Sequence, residues 1–174
     1  MIRAILFDRD GTLIADDPGN CNAQAIVAMP GSAEAVRCAR ECGVKIGVVT
    51  NQPGIARGDI TRAQVALMHE RIDEMLGPFD GWFICPHAEH EGCHCRKPQP
   101  RLLLDALSAF GVGVRECVMI GDIGSDIDAA RAIGMHAILV PTAITLPNEV
   151  LASPVVAHTL LEAVEYATSE VAAA

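Results

Sequence analysis

Five short, mostly apolar runs, each emptying into a polar turn, limit what this chain can fold into. Ala4 to Phe7 ends in Asp8-Arg9-Asp10-Gly11-Thr12, and Lys45 to Val49 ends in Thr50-Asn51-Gln52-Pro53-Gly54. Trp82 to Cys85 leads into a Cys/His-rich segment, and Cys117 to Ile120 ends in Gly121-Asp122-Ile123-Gly124-Ser125-Asp126. His136 to Val140 opens onto a loop from Pro141 to Pro147. A run this short, bounded by turn residues, reads as a strand buried on both faces.

Helical spacing fills the intervals. Ser32 to Cys42 sets Ala35, Cys38, Ala39 and Cys42 on one face and stops at Gly43. Thr61-x-x-Gln64 has the form of a capping box and opens a helix carrying Val65, Met68, Ile72 and Met75 as far as Gly77-Pro78. Pro100 to Phe110 turns Leu103, Ala106, Leu107 and Phe110 inward. Ser125-x-x-Asp128 is expected to cap a helix ending at Gly134, and Thr159 to about Ser169 reads as an amphipathic helix after which Val171 to Ala174 fray. Strands alternating with helices in this way predict one three-layer α/β domain over residues 1–174, with a parallel sheet and right-handed crossovers.

Composition agrees: 51% of the 174 residues are hydrophobic but only 3% are aromatic, as suits aliphatic strands covered by helices. A formal net charge of −9 opposes nonspecific binding to nucleic acid or to an anionic membrane. No stretch approaches the roughly 18 apolar residues of a membrane span, and Arg3 and Asp8 bracket the only early apolar run. A cytoplasmic, monomeric protein is expected.

In open α/β sheets, ligands bind at the carboxyl ends of the strands. Here those ends carry Asp8 and Asp10, then Thr50, then Lys97 a little further on, then Asp122 and Asp126. Carboxylates crowded at one edge repel each other unless a cation lies between them or one is protonated. Several acidic positions, a hydroxyl and a lysine suit phosphoryl transfer, which depends on positioning and on neutralising the phosphoryl oxygens. A carboxylate can attack phosphorus once a hard cation such as Mg²⁺ relieves its repulsion with the phosphate. An acid two residues on could protonate the leaving oxygen and later activate water.

Three of the seven cysteines crowd into eleven residues. Cys85-x-His87-x5-Cys93-x-Cys95 offers a Cys₃His set, enough for a closed, structural Zn²⁺ site in a loop at residues 85–95. Such a site would hold a segment poor in apolar residues and set Arg96 and Lys97 beside the strand ends. His90 and His94 fit the spacing less well, although either could substitute for His87.

Asp8-Arg9-Asp10-Gly11-Thr12, Thr50-Asn51, Lys97-Pro98 and Gly121-Asp122-x-x-Ser125-Asp126, in that order, resemble the four motifs of the haloacid dehalogenase (HAD) superfamily phosphatases. The resemblance spans residues 1 to about 140. It implies Asp8 as nucleophile, Asp10 as general acid/base, and Thr50 with its neighbour Asn51, and Lys97, as phosphate-binding residues. It also implies Mg²⁺ held by Asp8, the Asp10 carbonyl and Asp122, with Asp126 in support. The zinc-type loop running into Cys95-Arg96-Lys97-Pro98 resembles the branch that contains D-glycero-D-manno-heptose 1,7-bisphosphate phosphatases and histidinol-phosphate phosphatases. Only 46 residues run from Asn51 to Arg96, so no cap domain fits, and specificity is expected from the loops around the site.

Asn51-Gln52-Pro53-Gly54-Ile55-Ala56-Arg57-Gly58 is most similar to the heptose branch, whereas the short zinc loop suits the histidinol branch equally well. Ile123 departs from the basic residue usual in bacterial heptose-branch members. A bisphosphate calls for cations at both ends, which Arg57, Arg96 and Lys97 could supply. An amino-alcohol phosphate calls for an acid, which Asp16, Asp17, Glu89 or Glu91 could supply. The heptose bisphosphate, losing its C7 phosphate, is the leading expectation. Histidinol phosphate, and a phospho-accepting or inactive interaction domain, remain as alternatives.

Overall fold

The computed structural model describes residues 1–169, so the fraying expected of Val171 to Ala174 lies outside the described residues. In chain order the elements are β1 (Ala4–Phe7), α1 (Ser32–Glu41), β2 (Lys45–Asn51), α2 (Gly54–Arg57), α3 (Arg62–Leu76) and β3 (Gly81–Cys85). They continue with α4 (Arg101–Phe110), β4 (Cys117–Gly121), α5 (Gly124–Arg131), β5 (His136–Leu139), α6 (Pro147–Ala152) and α7 (Leu160–Ser169). All five strands are parallel and lie in the order β3-β2-β1-β4-β5. The α/β class expected from the sequence is the one found.

Alternation along the strands assigns the two faces. Ile5 and Phe7 of β1 join Ile46, Val48, Val118 and Ile120 beneath α1, α3 and α7. Ala4 and Leu6 join Val49, Met119 and Leu139 beneath α4 and α5. Burying aliphatic side chains on both faces contributes about 1.5–3 kcal/mol for each large one, which fixes the register of the central strands. The strand order reverses around β1: β2 and β3 extend to one side, β4 and β5 to the other. Ligands bind where such a reversal opens a crevice at the carboxyl edge, and that is where Asp8 and Asp122 emerge.

Several boundaries differ from the sequence reading. The α5 helix begins at Gly124, with Asp126 accepting from the Ile123 N–H at 3.4 Å, so Ser125 and Asp128 do not cap it, and it closes before Gly134. On α1 the inward positions are Ser32, Ala35, Val36 and Ala39, while Cys38 is half-buried and Cys42 exposed, because the face that meets the sheet is rotated by one position. The capping box at Thr61 and Gln64 forms as expected. The α2 and α6 helices have four and six residues and carry no apolar period of their own. Glu149 anchors α6 by accepting from the N–H groups of Leu146 at 2.9 Å and Gly124 at 3.0 Å.

Candidate active site

At the carboxyl edge of β1, β2 and β4 an open cleft of about 510 Å³ is lined by residues 8–10, 14–20, 50–54, 57, 59 and 60, with Arg96, Lys97, Asp122, Ile123 and Ser125. Ile144, from the loop after β5, also lines it, a contribution that its sequence neighbourhood does not signal. The segment after Asp10 and the turn after Asn51 supply walls, as expected of a site without a cap. The zinc-type loop reaches the cleft through Arg96 and Lys97.

The floor is a buried triad of acids. Asp8, Asp122 and Asp126 each offer one carboxylate oxygen, and these atoms lie within 4.8 Å of one another. Asp126 is fully buried and Asp122 nearly so. Two glycines make the approach feasible: a Cβ on Gly11, whose φ is +78°, would overlap Asp122 Oδ2, and a Cβ on Gly121 would overlap Asp126 Cγ. The Thr12 hydroxyl donates to Asp122 Oδ1 at 3.4 Å, and the Thr145 hydroxyl donates to the Asp122 carbonyl at 2.6 Å.

Lys97 partly neutralises this cluster. Its Nζ donates to Asp8 Oδ1 at 2.5 Å and to the Val49 carbonyl at 2.7 Å. The same Nζ stands 2.6 Å from Asp126 Oδ1, yet that oxygen has no hydrogen-bond partner, so the approach is a charge contact with poor hydrogen-bond direction. Burial opposes the charge on Lys97, but Asp126 and Asp8 outweigh it and hold its pKa above the ordinary lysine value. Burial pushes the Asp8 carboxyl up to about 8 against the pull of Lys97, with Asp126 and Asp10 adding to the rise. Asp122 is pushed up to about 7, by burial and then by the charge of Asp126. Three acids facing one ammonium leave excess negative charge, and hard oxygen donors in that arrangement fit a divalent cation such as Mg²⁺.

Asp10 stands apart from the triad. Arg9 holds it, with Nε 3.0 Å from Oδ2 and Nη2 2.9 Å from Oδ1. Gln52 Nε2 donates to Asp10 Oδ2 at 2.9 Å and to the Thr50 hydroxyl oxygen at 2.9 Å. Because that oxygen already accepts, the Thr50 proton is left to point elsewhere. Asn51, expected among the substrate-binding residues, spends its amide on the backbone of Lys97: Nδ2 donates to the carbonyl at 3.1 Å and Oδ1 accepts from the N–H at 3.0 Å. It reaches the site through Lys97. Arg57 is exposed and paired with Asp59 at 2.7 Å. Arg96 is paired with Glu89 at 2.5 Å while its Nη1 is buried without a partner.

Beside the cleft, Cys85, His87, Cys93 and Cys95 bring one ligand atom each within 4.8 Å of the others. Cys95 Sγ is 3.1 Å from Cys85 Sγ, 3.7 Å from Cys93 Sγ and 3.2 Å from His87 Nδ1. A tetrahedral Zn²⁺ with bonds of about 2.0–2.3 Å has edges of roughly 3.5–3.8 Å, so small outward shifts would accommodate the ion. Burial pushes the Cys85 thiol up to about 12. At Cys93 burial is outweighed by hydrogen bonds from the backbone of Arg96 and Cys95, which bring that thiol down to about 7. His90 and His94 are exposed and outside this group.

Reading the sequence missed Arg9, Gln52 and His69. Of these only His69 left a signal: it stands four residues after Val65 and three before Ile72, on the apolar face of α3.

A parallel sheet whose switch point presents a buried acid triad, an ammonium and a hydroxyl defines a HAD-like hydrolase. A HAD-hydrolase-like family model matches residues 94–165. D-glycero-beta-D-manno-heptose-1,7-bisphosphate 7-phosphatase of Pseudomonas putida is 33% identical over 146 residues, which cover 81% of this chain and 83% of that protein. The Vibrio cholerae protein of the same name is 34% identical over 166 residues, covering 87% and 89%. The crystal structure of D,D-heptose 1,7-bisphosphate phosphatase from B. bronchiseptica, complexed with magnesium and phosphate, superposes with a TM-score of 0.85 at 28% identity over 97% of this chain and 99% of that one. The chain belongs to this family of HAD-type phosphatases, which are phosphoric monoester hydrolases. Among the described residues no helix is long and apolar enough to cross a membrane.

Proposed function

We propose that this enzyme removes the C7 phosphate of D-glycero-D-manno-heptose 1,7-bisphosphate, leaving heptose 1-phosphate, by way of an aspartyl-phosphate on Asp8. The observation that carries the phosphatase chemistry is the buried Asp8–Asp122–Asp126 triad beside Lys97. The substrate rests on the shared name of the relatives, each covered over most of its length.

Asp8 Oδ attacks phosphorus and the sugar oxygen leaves. Asp10 gives that oxygen a proton and afterwards takes one from the water that hydrolyses the acyl phosphate. Asp8, Asp122 and the Asp10 carbonyl would hold Mg²⁺, with Asp126 supporting them, and its charge would relieve the repulsion between Asp8 and a phosphate dianion. The Thr50 hydroxyl directs its free proton at a phosphoryl oxygen, and Lys97 uses the N–H not committed to Asp8 or Val49 in the same way. Asn51 keeps Lys97 in place. Arg96, with a buried and unpartnered Nη1, and Arg57 receive the second phosphate.

Cys85, His87, Cys93 and Cys95 hold a structural Zn²⁺ that fixes the segment presenting Arg96 and Lys97. Residues 1–174 act as one domain, as a monomer in the cytoplasm. Asp16 and Asp17 line the same cleft and favour a second reading, histidinol phosphate, whose amine they would meet.

Phosphate release with Mg²⁺, compared as kcat/KM across heptose 1,7-bisphosphate, histidinol phosphate and simple sugar phosphates, tests the assignment. The heptose bisphosphate should lead, and Asp8→Asn should abolish turnover. Preference for histidinol phosphate would overturn the substrate. A long-lived phosphoprotein without turnover would mark a phospho-accepting domain instead.

A further inference from the structure

Behind Asp10 lies a buried chain of contacts that the chemistry above does not use. Arg9 is almost fully buried, although it follows the nucleophile directly. Its Nε and Nη2 close on the Asp10 carboxylate, and its Nη1 points the other way, 3.4 Å from His69 Nε2. His69 is itself buried on the inner face of α3 and stacks on Trp82 of β3, with ring centroids 3.8 Å apart and planes 10° from parallel. Phe79 meets the same indole edge-on at 5.4 Å. The indole N–H of Trp82 is buried without a partner, so Trp82 contributes its ring face to this arrangement rather than a hydrogen bond.

The chemistry of each link matters. Burial and the neighbouring Arg9 charge bring the His69 pKa down to about 3, so the imidazole is neutral and Nε2 can accept from the guanidinium. A neutral acceptor orients Arg9 without competing for its charge, whereas a carboxylate there would draw the guanidinium away from Asp10. The guanidinium is planar and its donors form a fixed fork, so fixing Nη1 fixes the plane in which Nε and Nη2 hold the carboxylate. Gln52 also donates to Oδ2 of that carboxylate and ties it to Thr50.

We infer that Arg9 and His69 are positioning residues of the phosphatase: the His69–Trp82 stack sets the plane of the Arg9 guanidinium, and Arg9 sets the orientation in which Asp10 meets the leaving oxygen. This rests on the assignment of Asp10 as the group that protonates that oxygen. General-acid help matters for a sugar alkoxide and hardly at all for p-nitrophenolate, which departs unprotonated. Misplacing Asp10 therefore has a signature that general damage to the fold lacks, a loss that depends on the leaving group.

The test compares kcat/KM, which reports events up to the first irreversible step, for heptose 1,7-bisphosphate and p-nitrophenyl phosphate with Mg²⁺. Arg9→Lys keeps the charge without the fork, and His69→Ala removes the acceptor and the stack. Each should lower kcat/KM for the sugar phosphate by about tenfold to a hundredfold while moving the value for p-nitrophenyl phosphate less than about threefold. His69→Gln, which restores a neutral acceptor, should recover most of the loss. Thermal melting identifies any variant that does not fold, and Arg9→Lys and His69→Gln keep the comparison available if His69→Ala is one of them. Equal losses on both esters, or none, would overturn the inference. Asp10→Asn separates the two readings. If it shows no selective loss, the assignment of Asp10 fails and this inference with it. If Asp10→Asn is selective and the Arg9 and His69 variants are not, only this inference fails.

Discussion

Lys97 Nζ lies 2.5 Å from Asp8 Oδ1, and both side chains are almost wholly out of solvent. The pair joins the end of β1 to the segment that follows the Cys/His loop, and the same ammonium faces Asp126 at 2.6 Å. Removing one partner of a buried pair leaves the other charge uncompensated, which costs about 3–5 kcal/mol. Lys97→Met should therefore lower unfolding stability by about that amount at pH 7 without Mg²⁺, as read by urea titration, and reduce kcat/KM by roughly 10³ through the lost electrostatic support. Adding Mg²⁺ should restore part of the stability and little of the rate. A variant as stable as wild type without metal would show that the acid triad does not need this cation.

Gly11 is held at φ +78° against Asp122, and Gly121 packs against Asp126, so neither position has room for a Cβ. Gly121→Ala should cost about 1–3 kcal/mol from overpacking. It should also raise the Mg²⁺ concentration needed for half-maximal activity, because Asp126 must move out of the triad. Gly11→Ala should be worse, since it adds backbone strain to the displacement of Asp122. Unchanged Mg²⁺ dependence in both variants would separate these carboxylates from the metal.

Elemental analysis should find one Zn²⁺ per chain. Chelation, or Cys93→Ser, should lower stability by about 2 kcal/mol or more, roughly 4–8 °C in melting temperature, while lowering p-nitrophenyl phosphate turnover with Mg²⁺ far less than Lys97→Met does. Metal-free protein with unchanged melting would leave the four residues as a cluster of thiols and an imidazole.

The strands and the acids at their ends were legible because burial on both faces demands unbroken aliphatic runs, and a polar residue that stops such a run is visible at once. Asp8, Asp122 and Lys97 could be placed at one edge before any coordinates. The α2 and α6 helices could not, because four and six residues hold no period and α6 depends on Glu149 meeting Gly124 across the fold. The division between Asp10 and the triad was implied by the resemblance to the HAD motifs and not by the residues taken alone. Asp10 and Asp126 both read as acids near the site, and only the packing of Arg9 and Gln52 draws Asp10 aside while the missing Cβ of Gly121 lets Asp126 in. That Asn51 reaches the site by holding the backbone of Lys97 was hidden as well, because sequence shows donors and acceptors and not which neighbours they meet.

The neutral imidazole of His69 also predicts how stability responds to acid. Its pKa of about 3 in the folded state lies below the ordinary 6.5. Between those values the unfolded chain binds a proton that the folded protein refuses, so stability is present above pH 6.5 and is lost as the pH falls toward 3. Asp8 and Asp122, at about 8 and about 7, act in the opposite sense without metal: the folded state keeps their protons longer than the unfolded chain, so they cost stability as the pH rises from about 4 toward 8. The two effects overlap in wild type, and a difference between proteins isolates one of them. Unfolding free energies of wild type and His69→Gln should differ by a constant amount above pH 7, and wild type should then lose roughly 2–3 kcal/mol relative to the variant by pH 4.5. A gap that stays constant from pH 7 to 4.5 would mean that His69 protonates in the folded protein as readily as in the unfolded chain, and the acceptor contact with Arg9 would have to be abandoned.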